Sequence, residues 1–483
     1  MMRGANFITY FLAGAVPRLG MFVILFVLAQ RISIAETGLF ALVVTVGEMV
    51  EMTSANWLRV FVQAREAGQD RIRSLRAGRI LVLALAMLVL ALLTVVPIAS
   101  IVAPSRMGQF AIAVCAYIAA FALLRLVLAV QQITHQHRLF ARIELARGVT
   151  VLVTVIAATF LPGASFFEPA LALAGTTLIA AIWGAVAGRE RVSRPAFSGH
   201  GFGTAFRFGL PVIADTGFNF LIVYFDRLVL NEFLGPAGVG LYAMAFALGR
   251  QPVDFVTGPM NNLVVPVLFT ARAREGDARA REMQTGFAVT LTVLCAAVLV
   301  GVLLLREPIA ALLVKAELRD EICNILPILT AAACVLVFKV FLYDNLFFMT
   351  GRNALKLKAV APAALIGAMI SFLMVRSHGL FGAAMAALIA SCLALACSVV
   401  ATRSFFLFPL RYGVMAFVVG AAMIAGLALA GAAALAAPLG PLAQIMAGFI
   451  AFCLVYGVAL KLGGVSLKRL VTSPWAPLRD DRV

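Results

Sequence analysis

The feature that most limits what this chain can become is a succession of apolar windows, each about twenty residues long, separated by short polar breaks. A helix of about twenty residues is ~30 Å long, the thickness of a bilayer's hydrocarbon core. Lipid supplies no hydrogen bonds to a backbone, so a spanning segment must satisfy its own N–H and C=O groups, which a helix does. Fourteen spans are expected, near 5–30, 36–61, 75–103, 108–134, 141–161, 168–188, 204–231, 236–269, 284–305, 321–349, 355–375, 380–402, 412–437 and 441–462. With 63% hydrophobic and 13% charged residues, the chain has too little polar sequence to cover these segments in water. The expected fold class is therefore all-α, a polytopic membrane protein of fourteen transmembrane helices.

The charge balance agrees. Lys and Arg number 39 against 22 acids, a net +17 that in a soluble protein would raise nucleic acid as a partner. Here 27 of the bases fall at the N-terminus, in the even-numbered loops and in the C-terminal tail, and six in the odd-numbered loops. That alternation follows the positive-inside rule, places both termini in the cytoplasm and leaves no role for nucleic acid. The longer inside connections, near 189–203 and 270–283, are basic and are expected to lie along the surface, attracted to anionic headgroups by about 1 kcal/mol per base. No outside loop is long enough for a separate domain. Arg3 is the lone base before an apolar run reaching Leu28, longer than a signal peptide's, so no cleavable signal is expected. The seven cysteines are scattered without a CxxC pair, and read as small core residues rather than disulfides or metal ligands.

An internal echo organises the middle of the chain. An offset of 202 residues lays LAQRISIAETGLFAL (28–42) over LNEFLGPAGVGLYAM (230–244), pairing Leu28 with Leu230, Gly38 with Gly240 and Leu39 with Leu241. Six spans separate the copies, so the repeat keeps its membrane orientation, which points to two parallel six-helix lobes and two further helices. The lobes are expected at 1–202 and 203–408, with 409–483 carrying the last two helices and a tail. The same offset places Glu48 on Arg250, and if both helices line a gap between lobes these opposite charges can meet.

Six bases lie inside the spans, Arg18, Arg59, Arg125, Arg227, Arg250 and Lys339, against six acids, Glu48, Glu51, Asp215, Asp226, Asp254 and Asp344. A charge at that depth costs about 3 kcal/mol, so such residues face a bundle interior or a watery cavity. On a straight second helix Glu48, Ala55 and Arg59 share one stripe, with Glu51 beside it; a cavity wall is the preferred reading and a lobe-interface network the alternative. The segment 240–262 holds Arg250 and Asp254, one turn apart and able to pair, and Pro252 and Pro259 are expected to kink it. Asp215, Asn219 and Asp226 share a face; Asp215 is either a cation site or an arginine's partner. Arg227 is expected to snorkel or pair locally. Arg18, Arg125 and Lys339 have no acid one turn away, so another helix, a ligand or water must meet their charge.

No GxxxxGK[ST] loop is present, and no cofactor is expected. His135 and His137 form an HxH beside Arg138 in a basic loop, a poor metal site. No paired carboxylates sit in an outer loop, as a membrane enzyme polymerising glycans would need.

Three stretches carry a family resemblance: LAQRISIAETGLFAL, the Asp226-Arg227-Leu228 that precedes LGPAGVGLYAMA, and the FMTGR ending the tenth span. In order and spacing the chain resembles the Wzx-like flippases, the polysaccharide-transporter branch of the multidrug/oligosaccharidyl-lipid/polysaccharide superfamily. The resemblance implies a V-shaped pair of lobes around a cavity that opens alternately to each side. It implies a non-enzymatic transporter that carries a polyprenyl-diphosphate-linked oligosaccharide from the cytoplasmic to the outer leaflet of the cell inner membrane. Membrane lipid, a glycan polymerase and export machinery are the implied partners. In the related lipid II flippases arginines of helices 1, 2 and 8 hold the diphosphate and helices 13 and 14 form a lipid groove; Arg18, Arg59 and Arg250 fall in the first three. On this reading Arg18, Arg59, Arg125, Arg250 and Lys339 attract the headgroup, and arginine can grip phosphate oxygens with two parallel bonds. Glu48, Glu51, Asp215 and Asp254 compete for these bases or carry a coupling cation. The alternative is a MATE-type small-molecule or cation antiporter, which would favour unpaired acids.

Overall fold

The computed structural model of the chain describes residues 4–66, 78–134, 136–189, 202–476 and 478. Its helices are α1 (Gly4–Arg31), α2 (Ile34–Ser54), α3 (Asn56–Glu66), α4 (Gly78–Val102), α5 (Met107–Ile133), α6 (His137–Ala158), α7 (Phe167–Gly188), α8 (Phe202–Glu275), α9 (Asp277–Leu313), α10 (Arg319–Phe338), α11 (Asn345–Thr350), α12 (Asn353–Arg403), α13 (Tyr412–Leu435), α14 (Pro441–Leu462) and the short α15 (Leu467–Thr472). A π-helical turn, Lys339–Asp344, joins α10 to α11. Among the described residues extended pairing is limited to one bridge, Val465 with Leu478. The fold is all-α, as expected. With α2–α3 and α10–α11 each taken as one span, and α8 and α12 divided at internal breaks, the described residues hold fourteen long segments at the expected positions.

Both internal breaks are glycines in the left-handed half of backbone space, Gly235 (φ 66°, ψ −175°) in α8 and Gly379 (φ 56°, ψ −129°) in α12. Side chains with a Cβ rarely adopt that region, whereas glycine does so freely. Pro236 follows the first break, where its fixed φ and missing N–H suit the opening turn of the next helical stretch. Gly235 is the position at which α8 leaves helical angles, ahead of the stretch that carries Pro252 and Pro259. The basic connection 270–283 is the end of α8 and the start of α9, joined at Gly276 (φ 87°), with 273–278 exposed. It carries its own ion pairs, Arg272 with Asp277 at 2.8 Å and Arg279 with Glu282 at 2.6 Å. The connection at 189–203 lies outside the described residues from 190 to 201.

The chain divides into two compact units, Met1–Ala243 and Met244–Val483. In the first, α5 packs on α7, α2 and α4, and α1 packs on α6. Trp57, Leu58, Phe61 and Val62 of α3 are buried with Val130 and Ile133 of α5. Glu36 ties distant turns together: its carboxylate accepts the Phe166 N–H at 2.9 Å and pairs with Arg106 at 2.7 Å. In the second unit Phe287 and Leu291 of α9 are buried with Val264 and Leu268 of α8 and Leu342 and Leu346 of the π turn and α11. α9 also packs on α13 and α14, where the Tyr456 hydroxyl donates to the Val293 carbonyl at 3.0 Å. The tail folds back, so that the Thr290 hydroxyl donates to the Pro474 carbonyl at 2.6 Å.

The outward faces are as apolar as the cores. Leu93 is 66% exposed, Ile101 71%, Leu427 75% and Leu454 65%. Apolar surface on this scale is not tolerated in water and identifies the hydrocarbon-facing sides of membrane spans.

Candidate substrate site

The polar centre of the first unit is built where α2 stops. Near its end the Thr53 and Ser54 hydroxyls turn back to the Met49 and Val50 carbonyls, at 2.7 and 2.6 Å, a competition with the helical ladder that favours bending. The helix breaks at Ala55, and α3 leaves at 47°. The straight polar stripe expected on this span is therefore bent between Glu51 and Arg59. The bend opens a cavity of about 210 Å³ between α2, α3, α4 and α5, lined by Glu51, Asn56, Arg59 and Arg125 among apolar side chains.

Arg125 is clamped from α2. Its Nη2 donates to Glu48 at 2.9 Å and its Nη1 donates to Glu51, whose side chain is buried. The acids that the sequence left unmatched with Arg125 are thus brought to it by another helix. Two carboxylates on one guanidinium leave a local excess of negative charge, which Arg59 across the same cavity balances. Arg59 is half-buried, and its buried Nε has no hydrogen-bond partner among the described residues. The cluster is formally neutral, but its bases are unequal: both line the cavity, and only Arg125 is bound by two acids.

The remaining residues singled out from the sequence lie elsewhere. Arg18 is exposed on α1. Arg250 donates to Asp254 at 3.0 Å, the pairing that their one-turn spacing allows. Asp215 is half-buried on α8, where the Asn219 amide donates to its carbonyl at 2.7 Å. Lys339 is fully buried and pairs at 2.9 Å with Asp344, which also draws Lys356 to 3.7 Å. Residues five apart point about 140° apart on an α-helix; the wider π turn brings Asp344 round to Lys339. Lys356 is a buried member of this triad.

Arg227 does not snorkel. It is buried, donates to the Thr45 hydroxyl at 2.9 Å and stacks 4.9 Å over the Tyr224 ring. Asp226 accepts the Tyr242 hydroxyl, so that this tyrosine and Thr45 are polar partners that sequence reasoning missed. The signal was present in the internal echo, where Tyr242 stands opposite Phe40 and differs from it by the hydroxyl alone. Of the HxH, His135 lies outside the described residues. Among the described residues no group of three or more His, Cys, Asp and Glu side chains is placed to hold a metal ion.

The architecture is shared with known transporters. The lipid II flippase MurJ, in an inward closed conformation, superposes with a TM-score of 0.66 at 14% identity, over 94% of this chain and 99% of that one. A transporter of the MOP superfamily from Pyrococcus furiosus matches with a TM-score of 0.58 at 16% identity, over 82% of this chain and 94% of its own. A multidrug resistance MATE family transporter, in its outward-facing conformation, gives 0.56 at 16% identity, over 82% and 93%. At these identities the likeness establishes the fold. A search of curated proteins returned no match. The sequence family described as "Polysaccharide biosynthesis protein" matches residues 27–317, well over half of the chain. With the all-helical MurJ- and MATE-like fold, that match makes this chain a multi-pass membrane protein belonging to the polysaccharide biosynthesis protein family.

Proposed function

We propose that the protein flips a polyprenyl-diphosphate-linked oligosaccharide from the cytoplasmic to the outer leaflet of the cell inner membrane, by alternating access and without covalent chemistry. The observation that carries this reading is the asymmetry of the cavity: Arg59 lines it and is held by no carboxylate among the described residues, while Glu48 and Glu51 hold Arg125 in reserve. An anionic diphosphate would pair first with Arg59, and could then exchange with the carboxylates for Arg125, because arginine offers phosphate the same two-pronged geometry it offers Glu. Arg18, Arg250 and Lys339 complete the basic set. Glu48, Glu51, Asp215 and Asp254 are the competing anions, and their release or neutralisation accompanies the change of access. Both termini lie in the cytoplasm, and the lobes are 1–202 and 203–408 with 409–483 as the C-terminal pair. A glycan polymerase and export machinery would take the product.

The test uses full-length protein in vesicles and a fluorescent lipid-linked oligosaccharide whose leaflet is read by quenching. Arg59→Gln should abolish flipping while the protein keeps its thermal midpoint, and Arg59→Lys should retain part of the rate, since lysine offers only a point charge. Full flipping by Arg59→Gln would overturn the site. Wild-type vesicles that move organic cations but not the lipid-linked glycan would favour the antiporter.

A further inference from the structure

We infer that a second, apolar groove in the unit Met1–Ala243 holds a stretch of the isoprenoid chain of the same lipid. The inference rests on the function proposed above, and it assigns the hydrocarbon part of the substrate to a place of its own. The groove has a volume of about 610 Å³ and runs between α2, α4 and the 213–221 stretch of α8. That size is within the range of small-molecule sites, roughly 300–1,000 Å³.

Its chemistry favours hydrocarbon over a sugar. Three hydroxyls line it, those of Thr53, Ser54 and Thr94, and each is turned back onto its own helix, toward Met49 at 2.7 Å, Val50 at 2.6 Å and Ala91 at 2.6 Å. The rest of the lining is hydrocarbon, including Phe220 and the 63%-exposed Leu90. A surface with its hydroxyl protons so committed offers a ligand no donor and mostly apolar contact. The groove is also open at Gly217, where an added Cβ would meet nothing within 4 Å. Such open space suits the methyl branches of an isoprenoid.

The occupant follows from the groove's neighbour. The same two helices line both spaces: Glu51, Leu85 and Leu88 face the charged cavity, while Met49, Val50 and Met87 face the groove. An amphiphile with an anionic head in the cavity could lay its chain along the other side of the α2–α4 pair. Bulk lipid would also cover this face, but its unbranched chains lack the methyl groups that the open space at Gly217 takes.

The test separates chain from headgroup. The probe is a polyprenol without phosphate, carrying a photoreactive diazirine, with a diazirine-tagged phosphatidylglycerol as comparison, each added to the full-length protein in nanodiscs. Irradiation should attach the polyprenol to peptides covering 87–98 or 213–221, and an excess of phosphatidylglycerol should not displace it. Gly217→Phe places a ring in the open space and should cut labelling about tenfold, the loss of roughly two buried CH2 groups. Ala214→Leu is the second variant, should Gly217→Phe reduce folding. Arg59→Gln should label as the wild type does. Equal labelling by both lipids, or undiminished labelling in the correctly folded groove variants, overturns the groove. Loss of flipping only in Gly217→Phe, with Arg59→Gln active, would reject the headgroup site and leave the groove standing.

Discussion

Gly38 and Gly240 meet backbone to backbone. A Cβ on Gly38 would fall 1.7 Å from the Pro236 carbonyl oxygen and 2.9 Å from the Gly240 nitrogen; one on Gly240 would fall 2.3 Å from the Ile34 carbonyl oxygen and 3.0 Å from the Gly38 nitrogen. Ile34 and Pro236 stand at the same 202-residue offset as the two glycines, so the contact is reciprocal. Each turn of the internal echo is seated on the other. Small residues at crossings let membrane helices approach this closely, and packing is what holds them, since lipid is as apolar as leucine.

Because the atoms opposed are main chain, they cannot rotate away from a new methyl group. Gly38→Ala and Gly240→Ala should each destabilise the protein by about 1–3 kcal/mol, the usual cost of overpacking. The double variant should cost less than their sum, because one parting of the helices relieves both. Thermal unfolding in detergent measures all three; additive losses would argue against a shared contact.

Arg125 is the only base within hydrogen-bonding distance of Glu48 and Glu51 among the described residues. Arg125→Gln strips a buried carboxylate of its partner and should cost about 3–5 kcal/mol. Glu48→Gln should cost under about 1 kcal/mol, because Glu48 is partly exposed and Glu51 still holds the arginine. Denaturant or thermal melts of the two variants should therefore differ clearly, and equal melts would contradict the clamp.

Asp344 answers two buried lysines, Lys339 and Lys356. Asp344→Asn leaves both without their carboxylate and should lower stability by about 3–5 kcal/mol. Adding Lys339→Met to that variant should recover part of the loss, since one of the two buried like charges is removed. Absence of any recovery in the thermal midpoint would argue against the triad.

Gly235 is open around its missing Cβ, with nothing within 4 Å, so its role is conformational. Gly235→Ala should cost about 1–3 kcal/mol from the backbone conformation alone. Pro252→Ala should be nearly neutral, as α8 keeps helical angles there. A larger effect at Pro252 than at Gly235 in parallel melts would show that the break had been misplaced.

Much of this protein is written in one dimension. Hydrophobic length dictates where spans lie, because a bilayer has one thickness and a helix one rise per residue. That is why all fourteen segments, the all-α class and the family resemblance were legible before any packing was known. The glycine pair of the internal echo was legible too, as an alignment. Tertiary structure alone decided which charges meet. Glu48 and Arg125 are 77 residues apart, and no periodicity along one helix could join them. The bend at Ala55 and the π turn at Lys339–Asp344 each reset the angular count that a straight helix assumes, so that they turned Arg59 toward a cavity and gave Lys339 its acid. Span positions follow from local hydrophobicity, whereas charge pairing depends on how helices cross, and that is settled by side-chain packing between segments far apart in the chain.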